Sequence, residues 1–158
     1  MIIHTTNYKL RTFEKTDIDE FYCMVHEEEI AKYVKYVYCN NRHDARLAVS
    51  DYMNGDCKND FYLLIEKDGV LVGCIVAIKL KEDTLDICWC IRVGYRGRGI
   101  MLEALTAFIQ WLKTNTQYKY LDAIINIYNE SSLRLVKKIE GNFCYLQKHD
   151  NCYYRINL

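Results

Sequence analysis

The chain has 158 residues, 51% of them hydrophobic, and its 21 basic and 21 acidic side chains cancel. That length supports one domain with a buried core, and that composition excludes a disordered chain. A neutral protein has no global field to draw it to nucleic acid or an anionic membrane, so any basic site must be local.

No apolar run approaches the ~20 residues of a membrane span, and the opening MIIHTTNYKLR lacks a signal-peptide pattern. Eight cysteines occur without a C-x-x-C pair, which predicts reduced thiols in a cytoplasmic protein. YKLRTF (8–13) alternates and predicts an opening strand. Thr16 stands where it would N-cap a helix reaching about His26, with Asp17, Asp19 and Glu20 in its first turn. A short helix over 28–36 and another from Arg42 to Met53, stopped by Asn54-Gly55, come next.

FYLLIEK (61–67) and VLVGCIVAIKL (70–80) flank Asp68-Gly69, a strong hairpin signal, and a strand over 85–91 follows. The helix predicted over 98–114 carries Leu102, Leu105, Ile109 and Leu112 as an apolar stripe, widened by Met101 and Phe108. A strand over 120–128, a helix over 131–139 ending near Gly141, and a hairpin turning at His149–Asn151 close the chain. This order predicts an α/β (α+β) domain over 1–158, with a mixed central sheet of about six to seven strands and helices on both faces.

The strand-to-helix corner RVGYRGRGIM (92–101) holds three glycines and three arginines. A Walker loop is absent, and a dinucleotide fingerprint starting at Gly97 fails because Leu102 stands where glycine is required. What remains is general physics: a glycine loop opening a helix offers free N–H groups and a positive dipole end to an anion. The competing reading is a tight turn with solvated arginines. Cys88 and Cys90 share a strand face and read as small buried hydrophobes. Cys144, His149 and Cys152 have ligand chemistry but span a hairpin without a fourth partner, so no metal is expected.

The stretch Arg96-Gly97-Arg98-Gly99-Ile100-Met101 resembles the R-x-x-G-x-[GA] signature of the GNAT superfamily of acetyl-CoA-dependent N-acetyltransferases. Trp89 on an aromatic strand, Tyr95–Gly99 and Glu103–Leu105 are similar to the branch that includes the ribosomal-protein alanine and spermidine N-acetyltransferases. Asn129-Glu130-Ser131-Ser132 resembles that branch's N-x-x-S marker, and KLRTFEKTDIDEF resembles its opening, so the likeness covers nearly the whole chain. It implies a GNAT fold, acetyl-CoA (coenzyme A) as cofactor, and transfer to a primary amine: a protein N-terminus, a polyamine or another small amine. It also implies cofactor contacts at Ile91, Val93, Arg96, Gly97, Arg98, Gly99, Ile100, Met101, Asn129 and Ser132.

For catalysis, the resemblance points to Ser132 as donor to the leaving sulfur and to Asp86 or Glu103 as base. Each has a plainer alternative: a first-turn serine, a strand-end charge, a carboxylate complementing a helix dipole. Asn129 has the rival role of helix N-cap. Three features depart from the family pattern: Val136 replaces a frequent tyrosine, Met101 a small residue, and Ile139-Glu140-Gly141-Asn142-Phe143 a Leu-Gly-Phe. Glu27-Glu28-Glu29 reads as a solvated run or as a hint of a cationic acceptor. The expected partner is a small-molecule or peptide amine, with no nucleic acid and no membrane; a homodimer is left open. The alternative function is a non-catalytic acyl-CoA-binding regulatory module of the same fold.

Overall fold

The computed structural model describes residues 1–33, 37, 39–54, 59–139 and 146–158. The predicted stop at Gly55, the end of the helix over 28–36, and residues 140–145 with Cys144 lie outside that set. In chain order the elements are β1 (Ile2–His4), β2 (Lys9–Arg11), α1 (Ile18–Val25), α2 (Glu28–Ala31), α3 (Arg42–Asn54), β3 (Phe61–Lys67), β4 (Val70–Lys81) and β5 (Thr84–Ile91). They continue with α4 (Ile100–Asn115), β6 (Tyr120–Asn126), α5 (Glu130–Val136), β7 (Leu146–Lys148) and β8 (Asn151–Asn157).

All strands join one eight-stranded sheet in the order β1-β2-β3-β4-β5-β6-β8-β7. The strand beyond the expected six to seven is β1, whose three residues are too few to show alternation in sequence. Neighbours are antiparallel except β5 and β6, which run parallel. Parallel strands need a crossover, and the 16-residue α4 supplies it.

Helices cover both faces. Leu63 and Ile65 of β3 join α4 and α5 in one core, while Leu64 between them joins α1 and α3 in the other. Strands β3 and β4 are therefore apolar on both sides, as their near-continuous hydrophobic runs require. Two bulges interrupt β4. Against β5, Lys79 pairs with Leu85 and Lys81 with Thr84, leaving Leu80 extra; against β3, Glu66 pairs with Leu71 but Ile65 with Gly73, so Val72 is the extra residue. Its carbonyl accepts the N–H of Arg92 at 3.0 Å, fixing where β5 hands over to the glycine corner.

Thr16 is not the cap of the first helix. The entry is a tight turn over Lys15–Asp17 with Glu14 before it, and the buried Asp17 carboxylate accepts the Glu14 N–H and two bonds from Arg11, each at 2.7 Å. The partner is Arg11 at the end of β2, itself bonded to Glu66 of β3, so the turn rests on strand packing that the propensity of Thr16 does not show.

Candidate active site

Strands β5 and β6 pair over only three residues: Thr84 with Tyr120, Leu85 with Leu121, Asp86 with Asp122. Both continue past that point, β5 to Ile91 and β6 to Asn126, so their facing edges open into a wedge. Backbone groups alternate direction along a strand. Because the Arg92 N–H turns to β4, the N–H of Ile91 turns to the wedge. The wedge forms a cleft of about 640 Å³, with Trp89, Cys90 and Ile91 on one wall, 128–132 on the other, and 95–102 across its end.

At that end Gly97 and Gly99 both hold φ +76°, the left-handed region that glycine adopts without cost. Gly99 is the N-cap of α4 and has no side chain to bond, and the first intrahelical bond joins the Glu103 N–H to the Gly99 carbonyl. The N–H groups of Ile100, Met101 and Leu102 precede that bond and are open at the cleft. Arg96 donates to the Ile91 carbonyl at 3.3 Å and stands 3.7 Å from Glu29. Arg98 donates to the Gly94 carbonyl at 3.0 Å and lies over the Tyr95 ring. On the opposite wall Arg134 of α5, paired with Glu130 at 2.9 Å, and Lys138 just beyond the helix add two more cations. An anion-accepting backbone, ringed by basic side chains, leads into a wedge with an inward N–H.

Residues 8–142 match the family model of the acetyltransferase (GNAT) domain. The chain belongs to the GNAT acetyltransferase family. It is 27% identical over 140 residues to the uncharacterized N-acetyltransferase YnaD of Bacillus subtilis (strain 168), covering 88% of this chain and 81% of that one. Among solved structures it is similar to a GNAT-family acetyltransferase from Bacillus anthracis, with TM-score 0.85, 23% identity, and 99% and 98% of the two chains covered. It is also similar to RimL, a ribosomal L7/L12 alpha-N-protein acetyltransferase in complex with coenzyme A, with TM-score 0.88, 14% identity, and 100% and 98% covered. At these identities the likeness to solved structures is one of fold.

As a GNAT enzyme the chain is an N-acetyltransferase dependent on acetyl-CoA, and its cleft fits that molecule. The open first turn of α4 and the two left-handed glycines suit a pyrophosphate approached by backbone, with Arg96 and Arg98 to balance its charge. Most of the GNAT residues anticipated from sequence line this one cleft: Ile91, Arg96, Gly97, Arg98, Gly99, Ile100, Met101, Asn129 and Ser132. Met101 is also 6% exposed and part of the core, so its side chain packs under the loop, not over it.

Val93 is placed elsewhere. It is 46% exposed outside the cleft, and its N–H donates to Glu27 at 2.6 Å. Glu27 also accepts from Arg92 at 3.2 Å, and Glu20 accepts from the same arginine at 3.3 Å. Thus the first glutamate of the acidic run fastens the start of the GNAT loop, and Arg92, the first arginine of the corner, serves that clamp.

Glu103 is also away from the cleft. Its carboxylate accepts bonds from the Thr5 hydroxyl (2.6 Å), the Asn7 N–H (2.8 Å) and the Asn7 side-chain amide (2.9 Å), tying the β1–β2 turn to α4. Burial works against its charge, yet the bonds from Asn7 and Thr5 hold its carboxyl below the usual carboxylate range. A carboxylate so held is a poor base; Glu103 stands in the first turn of α4, as the plainer expectation has it, and also ties that helix to the β1–β2 turn.

Asn129 N-caps α5, its Oδ1 accepting from the Ser132 N–H at 3.2 Å and the Ser131 hydroxyl at 3.0 Å. Among the described residues no hydrogen bond reaches the Ser132 hydroxyl. Val136 is 1% exposed in the core. Tyr33, Tyr95 and Tyr128 line the cleft, and the Tyr33 hydroxyl donates to the Tyr128 carbonyl at 3.2 Å across the mouth. Nothing in the sequence ties residue 33 to 128. Asp86 sits where the wedge begins, half-buried, its carboxyl pushed above the ordinary range by burial and then by the charge of Asp122, against a bond from the Ile87 N–H. Cys90 lies in the core with its sulfur 3.3 Å from that of Cys74, and among the described residues no three His, Cys, Asp or Glu side chains converge to hold a metal.

Proposed function

We propose that the chain acetylates a primary amine within the wedge between β5 and β6, in the cytoplasm. The observation that carries this reading is the end of strand pairing at Asp86 and Asp122, with the glycine corner and the open end of α4 at the wedge mouth. When bound, acetyl-CoA supplies the acetyl group as an activated thioester. Structures of two relatives in fold, RimL and the microcin C7 self-immunity acetyltransferase MccE, hold coenzyme A and acetyl-CoA respectively, which supports the same use of this cleft.

The chain's own groups divide the work. The N–H groups of α4's first turn and the backbone of Gly97 and Gly99 hold phosphate oxygens. The Ile91 N–H is aimed where a carbonyl oxygen gains charge. The Ser132 hydroxyl donates a hydrogen bond to sulfur as it leaves. The Asp86 carboxylate takes the proton that the amine loses, which in water has a pKa of about 10 for an alkyl amine.

Ser132→Ala is expected to lower kcat about tenfold to a hundredfold while the Kd for coenzyme A stays within about twofold, because its bond forms mainly in the transition state. Single-turnover kinetics beside calorimetry measure both; an unchanged kcat removes Ser132 from the chemistry.

The Asp86 carboxyl must be ionised to act as base, and its pKa is raised. Activity should therefore climb with pH through a limb above the ordinary carboxylate value of about 4 and level off beyond it. Asp86→Asn should remove that limb and lower kcat/KM about a hundredfold. A variant that keeps both the limb and the rate would leave deprotonation to water or to the amine itself.

A further inference from the structure

A second cavity, of about 140 Å³, lies on the other face of β5 from the α4 core. Tyr52 of α3, Tyr62 of β3, Val76 and Ile78 of β4, and Asp86 and Cys88 of β5 line it. It thus brings together one carboxylate, two phenols and two aliphatic walls, drawn from four elements.

Within this cavity the Asp86 carboxylate takes the bond from the Ile87 N–H already described, but its charge is not matched by a cation among the described residues. The neighbouring Asp122, by contrast, is gripped by Arg155 through two bonds of 2.6 and 2.7 Å. No hydrogen bond among the described residues reaches the hydroxyl of Tyr52 or Tyr62. The rings are nonetheless held firmly: they stack at 4.3 Å and 17°, and Tyr52 packs against Phe13 at 5.1 Å and Phe21 at 6.0 Å. Burial pushes the Cys88 thiol up to about 12, so it stays neutral and adds no charge. The site is pre-organised, carries one uncompensated negative charge, and offers oxygen acceptors beside apolar walls.

Chemical complementarity then selects the ligand. An anion would meet Asp86 and Asp122. A neutral alcohol would leave the carboxylate uncompensated. A primary ammonium brings three N–H donors, favourable contact with aromatic rings, and methylenes that Val76 and Ile78 can cover. The α-amine of a peptide is less suited, since its adjacent carbon is branched and carries a carbonyl that those two aliphatic side chains cannot bond. The cavity also adjoins the wedge: Cys88 lines it, and the next residues, Trp89 and Cys90, line the cleft.

We infer that this cavity is the acceptor subsite and that the acceptor is an unbranched primary alkylamine, docked as its ammonium on Asp86, Tyr52 and Tyr62. This rests on the acetyl-transfer reading above and narrows its acceptor. Tyr52 and Tyr62 become residues that determine acceptor specificity.

The test is calorimetric titration of the full chain with n-butylammonium chloride, with n-butanol as neutral control, followed by steady-state kinetics with n-butylamine and a serine-alanine dipeptide amide. The expected result is binding of the ammonium and not the alcohol, weakened roughly tenfold in Asp86→Asn and about threefold to tenfold in Tyr62→Phe. Coenzyme A affinity should be unchanged in both variants, which shows that they are folded, and n-butylamine should have the higher kcat/KM. Equal binding of ammonium and alcohol, wild-type affinity in both variants, or a preference for the dipeptide would each overturn the inference. If n-butylammonium binds with the expected pattern but no amine is acetylated, the subsite stands and the transfer reading fails. If amines are acetylated with the same KM in Tyr62→Phe as in wild type, the transfer reading stands and the subsite fails.

Discussion

Gly99→Val is expected to abolish coenzyme A binding and to cost about 1–3 kcal/mol of stability. The cause is backbone geometry, not crowding. A Cβ at position 99 would meet nothing within 4 Å, but φ is +76° there, and a β-branched residue in that region is a true outlier. Valine relieves the strain by returning φ to negative values, which swings the first turn of α4 and its three open N–H groups away from the cleft. Sequence reasoning about this glycine predicts blocked phosphate approach with little loss of fold; the left-handed cap adds the loss of fold. Gly94→Ala is the matched control, since its Cβ also meets nothing within 4 Å and its φ is not in the left-handed range. It should stay within about 0.5 kcal/mol of wild type and keep its coenzyme A affinity. Calorimetry and thermal unfolding of the pair decide the matter: intact affinity in Gly99→Val means that the corner does not hold phosphate.

Gly73→Ala acts by the opposite mechanism. A Cβ on Gly73 would sit 2.5 Å from the Cys90 carbonyl oxygen and 2.6 Å from the Cδ1 of Ile91. The isoleucine can rotate; the carbonyl belongs to the β4–β5 ladder and cannot. The strands must part just where the far edge of β5 forms the wedge, displacing the Ile91 N–H. Overpacking of this kind costs about 1–3 kcal/mol, and an ångström-scale shift of a positioning group costs about a hundredfold in rate. Denaturant unfolding and kcat should both register the change; wild-type stability would show that β5 is not pinned against Gly73.

Parts of this molecule written in short stretches were legible from sequence. The Asp68-Gly69 hairpin forms as expected, with both residues at positive φ, because its geometry is decided by two residues. The stripe of α4 is buried at Met101, Leu105, Phe108, Ile109 and Leu112 as its spacing requires, while Leu102 is half-buried at the cleft. The glycine corner was also readable, since residues 96–101 carry their own pattern. What distance in sequence concealed was partnership. Glu103 looked like a candidate base because nothing local reveals that Thr5 and Asn7, 98 and 96 residues away, bond its carboxylate. Glu27 looked like a solvated charge until Arg92 and the Val93 N–H closed on it, 65 and 66 residues on. The cavity around Asp86 draws on α3, β3, β4 and β5, so no window of sequence contains it. Arg134 on α5 and Lys138 just past its end resemble solvated charges until the cleft is seen beside them.

The most direct measurement of the central claim is transfer of labelled acetyl from acetyl-CoA to a panel of amines by the purified chain, with n-butylamine, a polyamine, an amino sugar and the dipeptide amide as acceptors. The account predicts saturable, enzyme-dependent formation of an N-acetyl amine, greatest for the unbranched alkyl acceptors and lost in Gly99→Val. Tight coenzyme A binding with no acetyl transfer to any primary amine would contradict it.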